Sequence, residues 1–173
     1  MELFDLMNDF LSDKCEIKLL STRDGKAFVS YLTDVFEKLG NLNRQLQGAN
    51  LTLVDAKAKI FGFITTLELC KQTISKRVFS QFQWLSKCEI TSEATSTIID
   101  HLNNLINDFN DRYSDLNSMF FPSRLTQPLL VDVSDTAVQY QEELSELLHD
   151  ESVKTLFKLK GTNVWLCDEI ERK

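Results

Sequence analysis

Apolar residues recur along this chain every three or four positions, and the recurrence resets at short polar breaks. The pattern predicts successive amphipathic helices. Leu3, Leu6, Met7, Phe10 and Leu11 share one helical face and predict a first helix that stops near residues 12–14. Ser21, with Asp24 three residues on, has capping-box spacing, in which two backbone N–H groups at a helix start find side-chain acceptors. The helix it opens is expected to run to about Gln47. Its apolar stripe is Phe28, Tyr31, Leu32, Val35, Phe36, Leu39, Leu42 and Leu46. Gly48 supplies a stop, because glycine tolerates the left-handed conformation there. Thr52 and Asp55 repeat the capping-box spacing and open a third helix with Ala56, Ile60, Phe63, Ile64 and Leu67 inward. That helix is expected to continue through Ile74 and Val78, with a bend near Ser75 and Lys76. Phe79, Phe82, Trp84 and Leu85 form an aromatic-rich segment, also read as helix. Ser92 is the expected cap of a long helix with Ile98, Leu102, Leu105, Ile106, Phe109 and Tyr113 on one face.

The periodicity fails between Ser114 and Pro128. Pro122 and Pro128 both lie there, and the residue before each is biased toward extended geometry. Residues 129–133 are a short apolar run, extended or a brief strand. Ser134 is the expected cap of a helix carrying Ala137, Val138, Gln141, Leu144 and Leu148. Two further helical segments are expected over residues 153–159 and 164–172. The fold class expected is all-α, an irregular multi-helix bundle with at most one or two short strands. Residues 1–113 read as a helical bundle, 114–133 as a connector with room for a short strand, and 134–173 as C-terminal helices, together one compact unit.

Composition narrows the functional classes. Only 5 Gly and 2 Pro occur in 173 residues, which favours long helices over many short strands. Hydrophobic residues make up 43% of the chain, which excludes a disordered acidic tail. The formal charge of −7 argues against a large phosphate-contacting face. Cys15, Cys70, Cys88 and Cys167 form no C-x-x-C pair and match no zinc spacing. They read as reduced thiols of an intracellular protein. The N-terminus carries acids among its apolar residues and lacks the basic start of a signal peptide. No stretch approaches the roughly 20 apolar residues of a membrane span.

No arrangement of residues points to catalysis. Two-metal phosphoryl chemistry needs carboxylates fixed so that the ions sit about 3.5–4 Å apart. Asp108, Asp111 and Asp115 fall at i, i+3 and i+7, and read as a solvated acidic face near a helix end. Asp132 is the one acid in a strand-like run, but no partner acids stand at comparable positions. Glu142, Glu143 and Glu146 read as the wet side of a helix, as do Asp168, Glu169 and Glu171. His101 and His149 are far apart, and no recognisable motif places a nucleophile beside His101. Lys57, Lys59, Lys71, Lys76, Arg77 and Lys87 give the middle of the chain a local basic excess, read as helix solubility. Phe79, Phe82 and Trp84 read as core rather than as a base-stacking surface. Asn43, Arg44, Gln45 and Gln47 concentrate donors and acceptors at a helix end, for another chain or for fixing the next helix locally.

The run YLTDVFEKLGNLNRQLQG, residues 31–48, resembles a block in proteins derived from hAT-type DNA transposases. These include BED-type zinc-finger, SCAN domain-containing and general transcription factor II-I repeat domain-containing proteins. Residues 52–71, with AKAKIFGFITTLELCK, look like the family's next helix. HLNNLINDFNDRYSDL, residues 101–116, YQEELSELLHDESVKTLFK, residues 140–158, and NVWLCDEIERK, residues 163–173, are similar to later blocks in the same order. Nearly the whole chain is covered, and the order of the blocks is more specific than any one of them.

The resemblance implies the helical insertion of an RNase H-like transposase and its exit toward a dimerisation block. Active relatives hold divalent metal with three acids. Two precede the stretch resembled here and the third follows it, so no catalytic residue carries over, and the BED finger is absent too. The expectation is a truncated hAT transposase-like protein that is not an enzyme, with no cofactor and no metal. It would act through helix-mediated protein association, with a protein partner or with itself. Candidate surface residues are Asn43, Arg44, Gln45, Gln47, Trp84 and Trp165. Nucleic acid is not expected to bind this stretch alone, and neither a membrane nor a small-molecule substrate is expected. An intracellular location is expected, with the nucleus favoured by the resemblance only. The alternative is an intracellular helical adaptor unrelated to transposons.

Overall fold

A computed structural model describes residues 22–48 and 51–166. The helix expected over Leu3 to Leu11 lies outside the described residues. Among the described residues the chain is all-α, with helices and 3₁₀ turns and no strand. It divides into two units: Met1–Gln45 with Phe61–Tyr113, and Leu46–Ile60 with Ser114–Lys173.

The first unit is built on α1 (Arg23–Leu46), most of α2 (Leu53–Ser75) and α3 (Ser92–Arg112). Ala27, Tyr31, Val35 and Leu42 of α1 are buried at spacings of four, four and seven, the signature of one helical face. Leu32 and Phe36, expected on that face, are 39% and 67% exposed. Each residue turns an α-helix by about 100°, so these two fall just past the edge of the buried stripe. Ser21, the expected partner of Asp24 in a capping box, lies outside the described residues. The Thr22 hydroxyl accepts from the Gly25 N–H at 3.1 Å. The Asp24 carboxylate accepts from the Thr91 N–H and hydroxyl, at 3.3 and 2.9 Å.

In α2 the Thr52–Asp55 capping box forms in both directions, with Asp55 N–H to Thr52 Oγ1 at 3.1 Å and Thr52 N–H to Asp55 Oδ2 at 3.2 Å. Ile60, Ile64, Leu67, Cys70 and Ile74 are buried. The helix stops at Ser75 rather than continuing to Val78. Val78 N–H bonds Thr73 O at 2.9 Å and Arg77 N–H bonds Ile74 O at 2.8 Å, while Arg77 sits at φ 59°. This is a Schellman motif with arginine where glycine is usual.

The aromatic segment that follows is a turn leading into the 3₁₀ helix Leu85–Lys87, not an α-helix. Phe82 and Leu85 are 0% exposed. The segment is clasped to α1 by Asp34, which is 3% exposed. Its carboxylate accepts from Trp84 N–H at 3.1 Å and Leu85 N–H at 2.9 Å. Lys38 adds a bond to Gln81 O at 2.8 Å and lies 5.3 Å from the Phe82 ring centre. Thr91, not Ser92, caps α3, accepting from Ala94 N–H. The buried face of α3 is Ala94, Thr95, Ile98, Leu102 and Ile106. Phe109 meets Phe63 of α2 at 5.3 Å between ring centres. Lys71 of α2 reaches Asn103 of α3 at 2.9 Å.

The second unit is a chain of short elements: the first turns of α2, α4 (Ser114–Ser118), α5 (Ser123–Thr126), α6 (Gln141–His149) and α7 (Glu151–Lys160). Between α5 and α6 lie the 3₁₀ turns Pro128–Leu130, Val133–Asp135 and Val138–Tyr140. The apolar run 129–133 is therefore not a strand. Asp132 is the cap here, accepting from Ser134 N–H at 2.9 Å and Ser134 O–H at 2.8 Å. It closes a turn instead of opening the expected helix, and α6 begins only at Gln141. Lys57 donates to Asn117 O at 2.8 Å and Met119 O at 2.7 Å, satisfying carbonyls at the end of α4. Asp150 caps α7 through Ser152 and Val153 N–H groups. The buried side chains of this unit include Ile60, Pro128, Thr136, Val153 and Val164. Of the helix expected over residues 164–172, the first part is the 3₁₀ segment Gly161–Leu166, and the rest lies outside the described residues.

Candidate interaction surface

The amide-rich end of α1 is solvent-facing. Asn43, Arg44, Gln45 and Gln47 are all exposed. Arg44 donates to Asn41 Oδ1 within its own helix, and Asn43 and Gln47 each have an interaction partner. Trp84 lies on a different element, the segment between α2 and α3, and is 46% exposed with Lys87 Nζ 4.5 Å from its ring centre. That cation–π contact covers one face of the indole. Trp165 lies in the 3₁₀ segment Gly161–Leu166, and its side chain is outside the described part of the structure.

The acids weighed for catalysis stand apart. Asp108 and Asp111 are exposed on α3, whereas Asp115 belongs to α4 beyond the break at Tyr113, so the three do not share one helical face. Asp132 is exposed, and its bonds to the Ser134 N–H and hydroxyl hold its carboxyl below the usual range. Glu142, Glu143 and Glu146 are exposed on α6. Cys167, Asp168, Glu169 and Glu171 lie outside the described residues. Among the described residues no group of three His, Cys, Asp or Glu side chains is placed to hold a metal ion.

Several groups read as functional candidates are engaged internally. His101 Nδ1 pairs with the Tyr31 hydroxyl at 2.8 Å, and the two rings meet edge-on. Tyr31 is 2% exposed, and burial pushes its phenol well above the ordinary range. Burial likewise raises the thiol of Cys70. Cys88 lies 3.2 Å from the Ser30 hydroxyl. Of the basic residues, Lys57 and Lys71 are spent on hydrogen bonds, Arg77 donates to Ser92, and Lys87 covers Trp84.

Periodicity did not reveal where apolar surface stays in water. Phe120 is 85%, Leu130 79%, Val138 81% and Leu159 77% exposed, all in the second unit. For Phe120, Leu130 and Val138 the sequence signal was indirect, since they lie where the helical stripe breaks down, whereas Leu159 sits on the exposed side of α7. One cleft of about 290 Å³ lies in the same unit. Pro122, Leu130, Val131 and Thr136 form its walls, with Ser123 and the carboxylates of Asp132 and Asp135.

No known protein-family model matches the chain, and no solved structure matches it. No helix among the described residues is long and apolar enough to cross a membrane.

Proposed function

We propose that this chain is an association module without catalysis of its own, a remnant of a hAT-type transposase whose helices engage other protein. The observation that carries this reading is the second unit, where Phe120, Leu130, Val138 and Leu159 each stand at least three-quarters exposed. A single exposed leucine is ordinary. Four such side chains between residues 120 and 159 are apolar area that a protein contact would withdraw from water. The transposon origin is supported by the ordered sequence blocks over residues 31–48, 52–71, 101–116, 140–158 and 163–173.

Sedimentation velocity over a concentration series tests association. The expected result is a mass that rises with concentration for the native chain and stays monomeric for a Phe120→Ser/Val138→Ser/Leu159→Ser variant. A native chain that is monomeric throughout rejects self-association. Incubation with duplex DNA and Mg²⁺ or Mn²⁺ tests the other half, and metal-dependent cutting or joining rejects it. Coding sequence for a BED finger upstream, or for a Ser-Glu-Arg block downstream, would favour the transposase origin over an unrelated helical adaptor.

A further inference from the structure

Three properties coincide at the cleft of the second unit. Its volume of about 290 Å³ lies just below the roughly 300–1,000 Å³ range of sites that enclose a small molecule. It fits one or two side chains rather than a whole substrate. Its walls set apolar Pro122, Leu130 and Val131 beside the carboxylates of Asp132 and Asp135. Finally, no Lys or Arg stands between Arg124 and Lys154, whereas Asp132, Asp135 and five further acids do.

Neither carboxylate takes part in the ion pairs Arg23–Glu89 and Lys154–Glu151 seen among the described residues. Asp132 accepts through Oδ1 from the Ser134 N–H and hydroxyl, hydrogen bonds that favour its charged form. Leu130 projects into solvent at the rim, 79% exposed. A bare cation is a poor occupant, because hard divalent ions ask for about six oxygen ligands and two carboxylates fall well short.

We infer that this cleft docks a segment of a partner protein presenting an arginine beside an apolar side chain. The planar guanidinium can fork its N–H donors onto a carboxylate, while its stem and the neighbouring apolar residue cover Leu130 and Pro122. Lysine, a compact and strongly hydrated charge, fits this mixed wall less well. The inference rests on the association reading and narrows it to one cleft and one partner chemistry.

Fluorescence anisotropy with a dye-labelled peptide of repeated Arg-Leu pairs, titrated with the full chain at low salt, tests it. The expected result is binding that weakens with added salt. It should fall several-fold with a Lys-Leu peptide and vanish with a Glu-Leu peptide. Asp132→Asn/Asp135→Asn should weaken it by about tenfold or more, since asparagine keeps the acceptor for Ser134 and removes the charge. Leu130→Ser should weaken it several-fold, and Glu142→Gln/Glu143→Gln/Glu146→Gln less than about twofold. The cleft is rejected if the native chain does not bind, or if the Asp132/Asp135 variant binds as the native chain does. It is rejected equally if the α6 glutamine variant loses as much, which would mean diffuse attraction to any acidic surface. Sedimentation of the same samples separates the two readings. A monomer that binds the peptide through Asp132 and Asp135 keeps the cleft and removes self-association. A self-associating chain indifferent to the peptide does the reverse.

Discussion

In the first unit Tyr31, Val35, Leu67, Ile74, Phe82, Leu85, Ile98 and Leu102 are all at most 3% exposed, and they come from α1, α2, the aromatic segment and α3. In the second, Pro128, Val153 and Val164 are withdrawn from water while Phe120, Leu130, Val138 and Leu159 are not. The second unit has long-range polar ties of its own, Lys57 to Asn117 and Met119 and Thr162 to Asp55, but the carboxylates that hold turns differ in the same direction. Asp34 bonds backbone fifty residues away and Asp24 holds Thr91 across sixty-seven. Asp132 and Asp150 bond groups two or three residues on. Carboxylates that tie distant segments around a common core specify one arrangement, whereas local caps fix turns one at a time. The first unit has the make-up of a scaffold, and the second presents surface.

The sharpest way to break that contrast is to delete leucine side chains in both units. Leu102 is 0% exposed, and Leu102→Ala should cost about 3 kcal/mol, the lost transfer energy plus a cavity. Leu159 is 77% exposed, and Leu159→Ala should stay within about 0.5 kcal/mol. Urea denaturation checks both. Equal costs would erase the distinction between the units.

Asp34 tests the long-range clasp. Asp34→Ala leaves the N–H groups of Trp84 and Leu85 without their acceptor, Leu85 being fully buried. The expected cost is about 2 kcal/mol, with faster hydrogen exchange at Leu85. Asp34→Asn keeps one acceptor oxygen and should lose less.

How far the chain could be read in advance follows the same division between local and distant. Thr52 and Asp55 formed their capping box because both partners lie within one turn. Asp24 also serves Thr91, and nothing near residue 24 announces a partner sixty-seven positions on. Leu32 and Phe36 satisfy helical periodicity as well as Tyr31 and Val35 do. Only packing decides which side of α1 meets the core. Asp34 could have been suspected, since a carboxylate set between Tyr31 and Val35 must be bonded or lie at the stripe's edge. The cleft at Asp132 was not legible, because it joins two 3₁₀ turns to residues 122 and 123, and such turns carry no apolar period.

The helix ends allow a smaller comparison. Positive φ falls on Arg77 after α2 and on Gly161 after α7. A Cβ at Gly161 would meet nothing within 4 Å, so Gly161→Ala should cost only the backbone strain, about 1 kcal/mol or somewhat more. Arg77→Gly relieves strain of about 1–2 kcal/mol. It also loses the Arg77–Ser92 hydrogen bond, so a net gain of about 0.5 kcal/mol is expected. Thermal melts of the two variants should move in opposite directions. A destabilised Arg77→Gly would show that the Ser92 contact outweighs the strain.

The smallest effect expected is the acid response of Asp132. Its carboxyl lies below the ordinary range, first through the Ser134 N–H and then through the Ser134 hydroxyl. A lowered folded pKa means that the unfolded chain takes up the proton first as pH falls. The cap's contribution is therefore complete above the unfolded value of about 3.9 and is lost as pH drops through the lower folded one. An NMR titration of the carboxyl should show that low midpoint, and Ser134→Ala should raise it part of the way, since the backbone N–H remains. The cap is local, so hydrogen exchange at Leu102 should not follow the Asp132 titration. If exchange at Leu102 rises in step with protonation at Asp132, and Asp132→Asn abolishes that step, the turn and the distant core unfold together. The separation between scaffold and presenting surface would then fail.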